Sequence, residues 1–201
     1  MRIGGFQKFS LIDFPQKSSA VIFTQGCNFR CSYCHNPELV YENLFGVPVR
    51  EEEIFAFLEQ RKDILDGVVI TGGEPTLQSD LEDFVAKIKF RGYLIKLDTN
   101  GSNPDIIGKL LNKKLLDFIA MDIKAPFDKY ESVCGVKINI LNIKKSINII
   151  KNSQIAFEFR TTYDSSNLIS SDIEKIKDET SAGYNYRVQK CNHLSLKYDK
   201  N

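Results

Sequence analysis

Cys27-Asn28-Phe29-Arg30-Cys31-Ser32-Tyr33-Cys34 sets three cysteines in a C-x₃-C-x₂-C run just after the apolar segment Ala20 to Phe23. Three thiols this close cannot all pair as disulfides, and together they suit a soft metal centre. A complete iron–sulfur set normally uses four cysteines, so three suggest a cluster with one iron left open for a ligand. Two other readings stand beside this one: a zinc site completed by His35, and thiols with no task. Zinc favours C-x₂₋₄-C pairs answered by a second pair farther along. Here the remaining cysteines, Cys134 and Cys191, are isolated, and the other histidine is His193. Adjacent Cys34 and His35 would also have to share one tetrahedron. Cys134 and Cys191 read as structural thiols.

Around that run, short apolar stretches alternate with helix-periodic ones. Expected strands are Ser19 to Thr24, Asp66 to Thr71, Tyr93 to Asp98, Asp117 to Asp122, Ile155 to Thr161 and Tyr184 to Val188. Expected helices are Glu51 to Lys62, Asp80 to Arg91, Pro104 to Leu111, Asn142 to Lys151 and Ser171 to Glu179. Near-continuous apolar strands suit a parallel sheet covered on both faces. Ser79 or Asp80, Asn103 before Pro104, and Ser170 or Ser171 with Glu174 read as helix starts. The alternation implies an α/β chain of right-handed βαβ units. Periodicity leaves an open doubly wound sheet and a partial barrel as alternatives.

At 201 residues the chain is expected to form a single domain, 1–201, with a cluster loop over 25–38 and a frayed tail over 197–201. The 27 basic and 26 acidic residues nearly cancel, a net charge of +1, which argues against nucleic acid or an anionic membrane as partner. No run approaches the ~20 apolar residues of a membrane span, and no apolar segment follows Met1 to Gly5 as in a signal peptide. Five cysteines, three of them clustered, do not resemble a secreted disulfide framework. The expected setting is cytoplasmic and low in oxygen.

In parallel folds, functional residues collect where strands end. After the cysteine-bearing strand end comes Gly72-Gly73-Glu74-Pro75, whose glycines allow a ligand to approach the backbone and whose acid suits an ammonium group. Next come Asp98-Thr99-Asn100-Gly101 and Met121-Asp122-Ile123-Lys124. Asp98 and Asp122 could hold a hard cation, and Lys124 a carboxylate. Arg160, in the apolar run Phe157 to Thr162, needs an anionic partner if buried. Singly, each motif also has a plain reading as a turn or a solvated loop. Jointly they offer partners for a ligand bearing an ammonium, a carboxylate and a ribose.

At these residues the chain resembles the radical S-adenosylmethionine superfamily, and within it the activating proteins of glycyl radical enzymes. It is most similar to those of anaerobic ribonucleoside-triphosphate reductase. The similarity runs from Gly5-Phe6-Gln7-Lys8-Phe9-Ser10-Leu11-Ile12-Asp13-Phe14-Pro15 through Cys34-His35-Asn36-Pro37, then the glycine-pair, Asp-Thr-Asn-Gly, Asp-Ile-Lys and Arg-Thr-Thr segments in order. Two departures are Gln16, where the family commonly has glycine, and Tyr163-Asp164, where valine and proline often follow.

The resemblance implies a partial (β/α)6 barrel and a 4Fe–4S cluster on Cys27, Cys31 and Cys34. S-adenosylmethionine would chelate the open iron. Its amino end would lie on Gly72, Gly73 and Glu74, its adenine near Tyr33, and its carboxylate near Lys124, with Arg160 close by. Asp98, Thr99, Met121 and Asp122 would form a monovalent-cation site. The implied activity is reductive cleavage of the cofactor to a 5′-deoxyadenosyl radical, which generates a glycyl radical on a partner enzyme. A low-potential donor such as flavodoxin or ferredoxin would supply the electron. The alternatives by resemblance are an activase of the pyruvate formate-lyase type and a small-molecule enzyme similar to 7-carboxy-7-deazaguanine synthase.

Overall fold

Parallel strands form from the short apolar runs, and the crossover helices from the amphipathic stretches between them. The computed structural model describes residues 1–181 and 183–191; the tail over 197–201 and His193 lie outside these. Six parallel strands stand side by side in chain order: β2 (Ser19–Thr24), β3 (Gly67–Gly72), β4 (Leu94–Thr99), β5 (Phe118–Asp122), β6 (Ala156–Tyr163) and β7 (Tyr186–Lys190). Helices α1 (Glu51–Glu59), α2 (Leu81–Phe90), α3 (Pro104–Asn112), α4 (Tyr130–Cys134), α5 (Ile140–Lys151) and α6 (Ser170–Thr180) fill the crossovers.

The strand order decides between the two architectures. Right-handed crossovers that all step the same way lay every helix on one face of the sheet. A doubly wound sheet needs a reversal of strand order, and the order β2 to β7 has none. The chain is therefore a partial (β/α)6 barrel. It is left open because its edge strands, β7 and the N-terminal β1 (Ile3–Ser10), do not pair.

β1 runs antiparallel to β2, with Phe6 opposite Ile22, and composition does not announce it. Gly4 and Gly5 are weak strand formers and Gln7 to Phe9 are exposed, so the ladder to β2 makes the strand rather than local preference. Short α4 was equally silent. The expected helix starts are displaced or differently capped. Asp172 Oδ2 accepts the Ile169 N–H at 2.9 Å, closing the start of α6 without Glu174. Asn103 does not cap α3; its amide donates to the Thr76 carbonyl at 3.1 Å. Asp80 makes no cap bond either and holds the Met1 ammonium instead.

Alternation along each strand gives the sheet two unlike faces. Ile22, Ile70, Ile95, Leu97, Ile119, Met121 and Phe159 belong to the main core with the helices. On the lumen face, Val21 and Val69 pack with Phe14 from the β1–β2 connection, backed by Phe23, Leu94 and Phe118. Phe14, 4% exposed, meets Phe118 edge-on at 6.1 Å between ring centroids. Gly67 leaves room for it, since a Cβ there would come within 2.9 Å of the Phe14 ring. One end of the lumen is thereby plugged. Burying such an aromatic side chain contributes about 1.5–3 kcal/mol.

Candidate functional site

At the carboxyl ends of the parallel strands lies a cavity of about 250 Å³. It brings together Cys27, Cys31, Tyr33, Cys34, Gly72, Gly73, Glu74, Asp98, Thr99, Asp122, Lys124 and Arg160. Residues from five separate segments thus share one chamber.

The cysteine loop is pinned from several sides. Gly26 N–H donates to the Leu39 carbonyl at 2.7 Å, and Arg30 N–H to the Cys134 carbonyl, also at 2.7 Å. The Arg30 guanidinium holds the Cys27 and Phe29 carbonyls at 2.6 and 2.8 Å. The Phe29 N–H donates to Cys27 Sγ at 3.4 Å. All three thiols are free and half-buried. Burial pushes Cys27 up to about 11 and also raises Cys34. Cys31 is lowered to about 6, chiefly because the Cys134 thiol hydrogen-bonds to it. Cys134, read from sequence as merely structural, is thus a fourth thiol beside this loop; its signal, the end of α4, was itself invisible.

The glycine pair also has a packing task. Gly72 has φ +121°, and a Cβ on it would stand 2.2 Å from the Thr24 amide nitrogen. A Cβ on Gly73 would meet the Gly26 carbonyl oxygen at 2.1 Å. Both glycines let the β3 end close against the strand that carries the cysteines, and both also line the cavity. Gly73 N–H donates to the Thr24 carbonyl at 2.9 Å, and Glu74 N–H to the Gly26 carbonyl at 2.8 Å.

Glu74 is fully buried. Its Oε1 accepts from Thr76 N–H at 3.1 Å, the Thr76 hydroxyl at 2.6 Å and the Thr99 hydroxyl at 2.7 Å. Its Oε2 accepts from Asn100 N–H at 2.6 Å. Burial raises its pKa, against the pull of those donors. Glu74 thus latches the ends of β3 and β4 together. Asn100, which sequence reasoning took only as part of a turn, completes the latch. Its side-chain amide donates to Asn28 Oδ1 at 2.9 Å and reaches Cys27 Sγ at 4.0 Å.

The opposite wall is a lattice of charges. Lys96 Nζ lies 2.6 Å from Asp98 Oδ1, and Lys124 Nζ 3.0 Å from Asp122 Oδ2. Arg160 spans both acids, with Nη1 3.3 Å from Asp98 Oδ2 and Nε 3.0 Å from Asp122 Oδ1. Burial alone would raise Asp122, but the Arg160 and Lys124 charges outweigh it and hold that carboxyl well below the usual range. Lys124 and Arg160 are raised in turn by the acids they face, against the opposing effect of burial.

The expected monovalent-cation site falls on this lattice. Met121 points to the other face of β5, where it is fully buried in the main core. The Thr99 hydroxyl donates to Glu74 and accepts from Gly101 N–H at 3.1 Å. All four carboxylate oxygens of Asp98 and Asp122 already face a lysine or arginine nitrogen. The residues do not fit an added alkali ion.

The thiols do fit a cluster: three free sulfurs on one pinned loop opening into one cavity. The Tyr33 hydroxyl is buried there with no hydrogen-bond partner among the described residues. Among the described residues no three His, Cys, Asp or Glu side chains converge on a single-ion site, the three cysteines included. His35 lines the cavity and lies 3.9 Å from Cys191 Sγ, so Cys191 is also a neighbour of the loop. No helix among the described residues is long and apolar enough to cross a membrane.

Residues 21–164 match the Radical SAM superfamily. A Methanocaldococcus jannaschii protein provisionally named glycyl-radical enzyme activating enzyme is 40% identical over 179 residues, 87% of this chain and 73% of its own length. The pyruvate formate-lyase-activating enzyme of Clostridium pasteurianum is 34% identical over 140 residues, 67% of this chain and 57% of its own. Streptococcus suis SuiB bound to S-adenosylmethionine shares the fold with a TM-score of 0.65 at 17% identity, over 86% of this chain and 40% of that one. The chain belongs to the radical SAM superfamily, and within it to the glycyl-radical enzyme activating enzymes.

Proposed function

We propose that this radical SAM enzyme generates a glycyl radical on a partner protein, using a 4Fe–4S cluster and S-adenosylmethionine held in the cavity at the strand ends. The observation that carries this reading is the meeting, in that one cavity, of the three thiols with a set of groups matched to an amino acid. Cys27, Cys31 and Cys34 would hold the cluster. The Gly72–Gly73 backbone and Glu74 Oε2 would take the amino group of the cofactor. Lys124 and Arg160 would face its carboxylate, and the backbone near Tyr33 its adenine; Asp98, Thr99 and Asp122 fix the groups that touch it. When bound, the cluster and cofactor supply one-electron cleavage to a 5′-deoxyadenosyl radical that removes a hydrogen atom from a glycine.

The chain's own residues orient and exclude. The latch from Glu74 to Thr76, Thr99 and Asn100 fixes two strand ends relative to the cysteine loop. The charge lattice holds Lys124 and Arg160 in place while keeping each of them charged. Anaerobic ribonucleoside-triphosphate reductase is the partner favoured by the segments Gly5 to Pro15 and Cys34 to Pro37. Pyruvate formate-lyase is the second candidate, supported by the Clostridium pasteurianum relative. A cytoplasmic, anaerobic setting with flavodoxin or ferredoxin as donor accords with this reading, in which the whole chain acts as one domain.

The test is anaerobic incubation of the reconstituted protein with S-adenosylmethionine, reductant and each candidate partner, read by electron paramagnetic resonance. A glycyl radical doublet on one partner is expected. Release of free 5′-deoxyadenosine with no doublet on any glycyl radical protein of the host would overturn the activase reading and favour a small-molecule substrate.

A further inference from the structure

We infer that the Arg160 guanidinium is the resident cation of this site, and that cofactor binding here requires no alkali-metal ion. The inference rests on the cofactor assignment above, and on the geometry of five charged side chains.

An alkali ion between Asp98 and Asp122 would need their oxygens as ligands. Each of those oxygens already faces a protein cation: Oδ1 of Asp98 faces Lys96 and Oδ2 Arg160, while Oδ1 of Asp122 faces Arg160 and Oδ2 Lys124. Arg160 alone reaches both acids, one nitrogen to each, which is the bridging position a metal ion would hold. A planar guanidinium with several fixed donors suits this better than a point charge.

Most of the lattice is enclosed. The side chains of Arg160 and Lys124 are each 16% exposed, that of Asp98 14% and that of Lys96 only 3%, while Asp122, at 31%, opens to the cavity. Removing charges from water at such a place is costly unless each has a partner, and the lattice gives every member one. Within it three cations face two carboxylates, so one positive charge is in excess. An added alkali ion would double that excess in a confined space. The existing excess instead suits a carboxylate arriving in the cavity, which Arg160 and Lys124 both line.

The register shows why this is built in. Asp122 pairs with Arg160 across β5 and β6, and Asp98 lies opposite Ala120 across β4 and β5. Ala120, on the same face as Asp122, is too small to separate Asp98 from the guanidinium. Three neighbouring strands therefore deliver the arginine between the two acids without any loop having to adjust.

Two measurements on the anaerobic holoprotein test this. The first needs no cofactor: ²³Na relaxation is titrated with K⁺ as competitor. The wild-type protein should show no saturable, K⁺-competed site, whereas Arg160→Gln should acquire one. A saturable site in the wild-type protein overturns the inference, and that arm stands whether or not the variant folds. The second is the S-adenosylmethionine dissociation constant in choline, sodium and potassium chloride at equal ionic strength. In the wild type it should vary by less than about twofold, and a tightening of about fivefold or more with either metal overturns the inference. In folded Arg160→Gln it should weaken by about tenfold in choline and recover in part with sodium or potassium. Equal weakening in all three salts would reduce Arg160 to a structural role and overturn the inference. Absence of cofactor binding by the wild type in every salt would defeat the cofactor assignment, while the sodium titration still decides the inference.

Discussion

The two ends of the lumen stand on the same face of the same strands, yet one is closed by carbon and the other held by charge. Along β4 the lumen residues run Leu94, Lys96, Asp98, and along β5 Phe118, Ala120, Asp122. At the plugged end, Phe14, Val21 and Val69 fill space without fixed pairings. At the open end each group depends on a named partner. Volume forgives and charge does not: a plug residue that shrinks leaves a cavity, while a lattice residue that is lost strands the ions it neutralised.

The seam glycines give the largest expected contrast. Gly72→Ala should yield no stably folded protein, because the new Cβ meets backbone at 2.2 Å and φ is +121°, a combined penalty above about 4 kcal/mol. Gly67→Ala at the plug meets the Phe14 ring and the Leu94 carbonyl, both at 2.9 Å, and should cost about 1–3 kcal/mol in urea unfolding. Similar losses for the two variants would break the comparison.

Within the lattice, Asp122→Asn leaves Arg160 and Lys124 short of a charge and, with that side chain 31% exposed, should destabilise by about 1–3 kcal/mol. Adding Arg160→Gln to it should restore part of that loss, a coupling that a double-mutant cycle reads directly. Phe14→Ala should cost about 3 kcal/mol. It should leave S-adenosylmethionine affinity within about twofold, since the plug lies at the opposite end of the lumen from the cofactor groups. A large loss of affinity in Phe14→Ala would show that the two ends are mechanically linked.

The smallest effect is on acid stability. Asp122 is held below its ordinary value of 3.8, so the unfolded chain takes up its proton at higher pH than the folded one. Its contribution is therefore complete above pH 3.8 and lost progressively as pH falls below it. Thermal unfolding of the wild type should fall more steeply below that pH than that of Asp122→Asn. Parallel slopes would count against the charge pairing.

Much of the site could be read before any fold was known, because strand-end residues follow apolar runs by a fixed, local rule. That rule placed Cys27, Glu74, Asp98 and Asp122 at one end of one sheet, and the cavity gathers all of them. It failed where the partner is distant in sequence. Asn100 reaches Asn28 and Glu74, Cys134 meets Cys31, and β1 exists through its ladder to β2. None of these leaves a periodic or compositional mark.

The sequence by itself determined the alternation of strands and helices, the three-thiol loop and the acids, lysine and arginine at the strand ends, since each is a matter of spacing along the chain. Only the tertiary structure decided that the strands march in one direction into an open barrel, that Glu74 is a latch, and that Arg160 sits between Asp98 and Asp122. Those outcomes depend on strand register and on which burial leaves no charge alone, and both are set by contacts between segments that the chain keeps far apart.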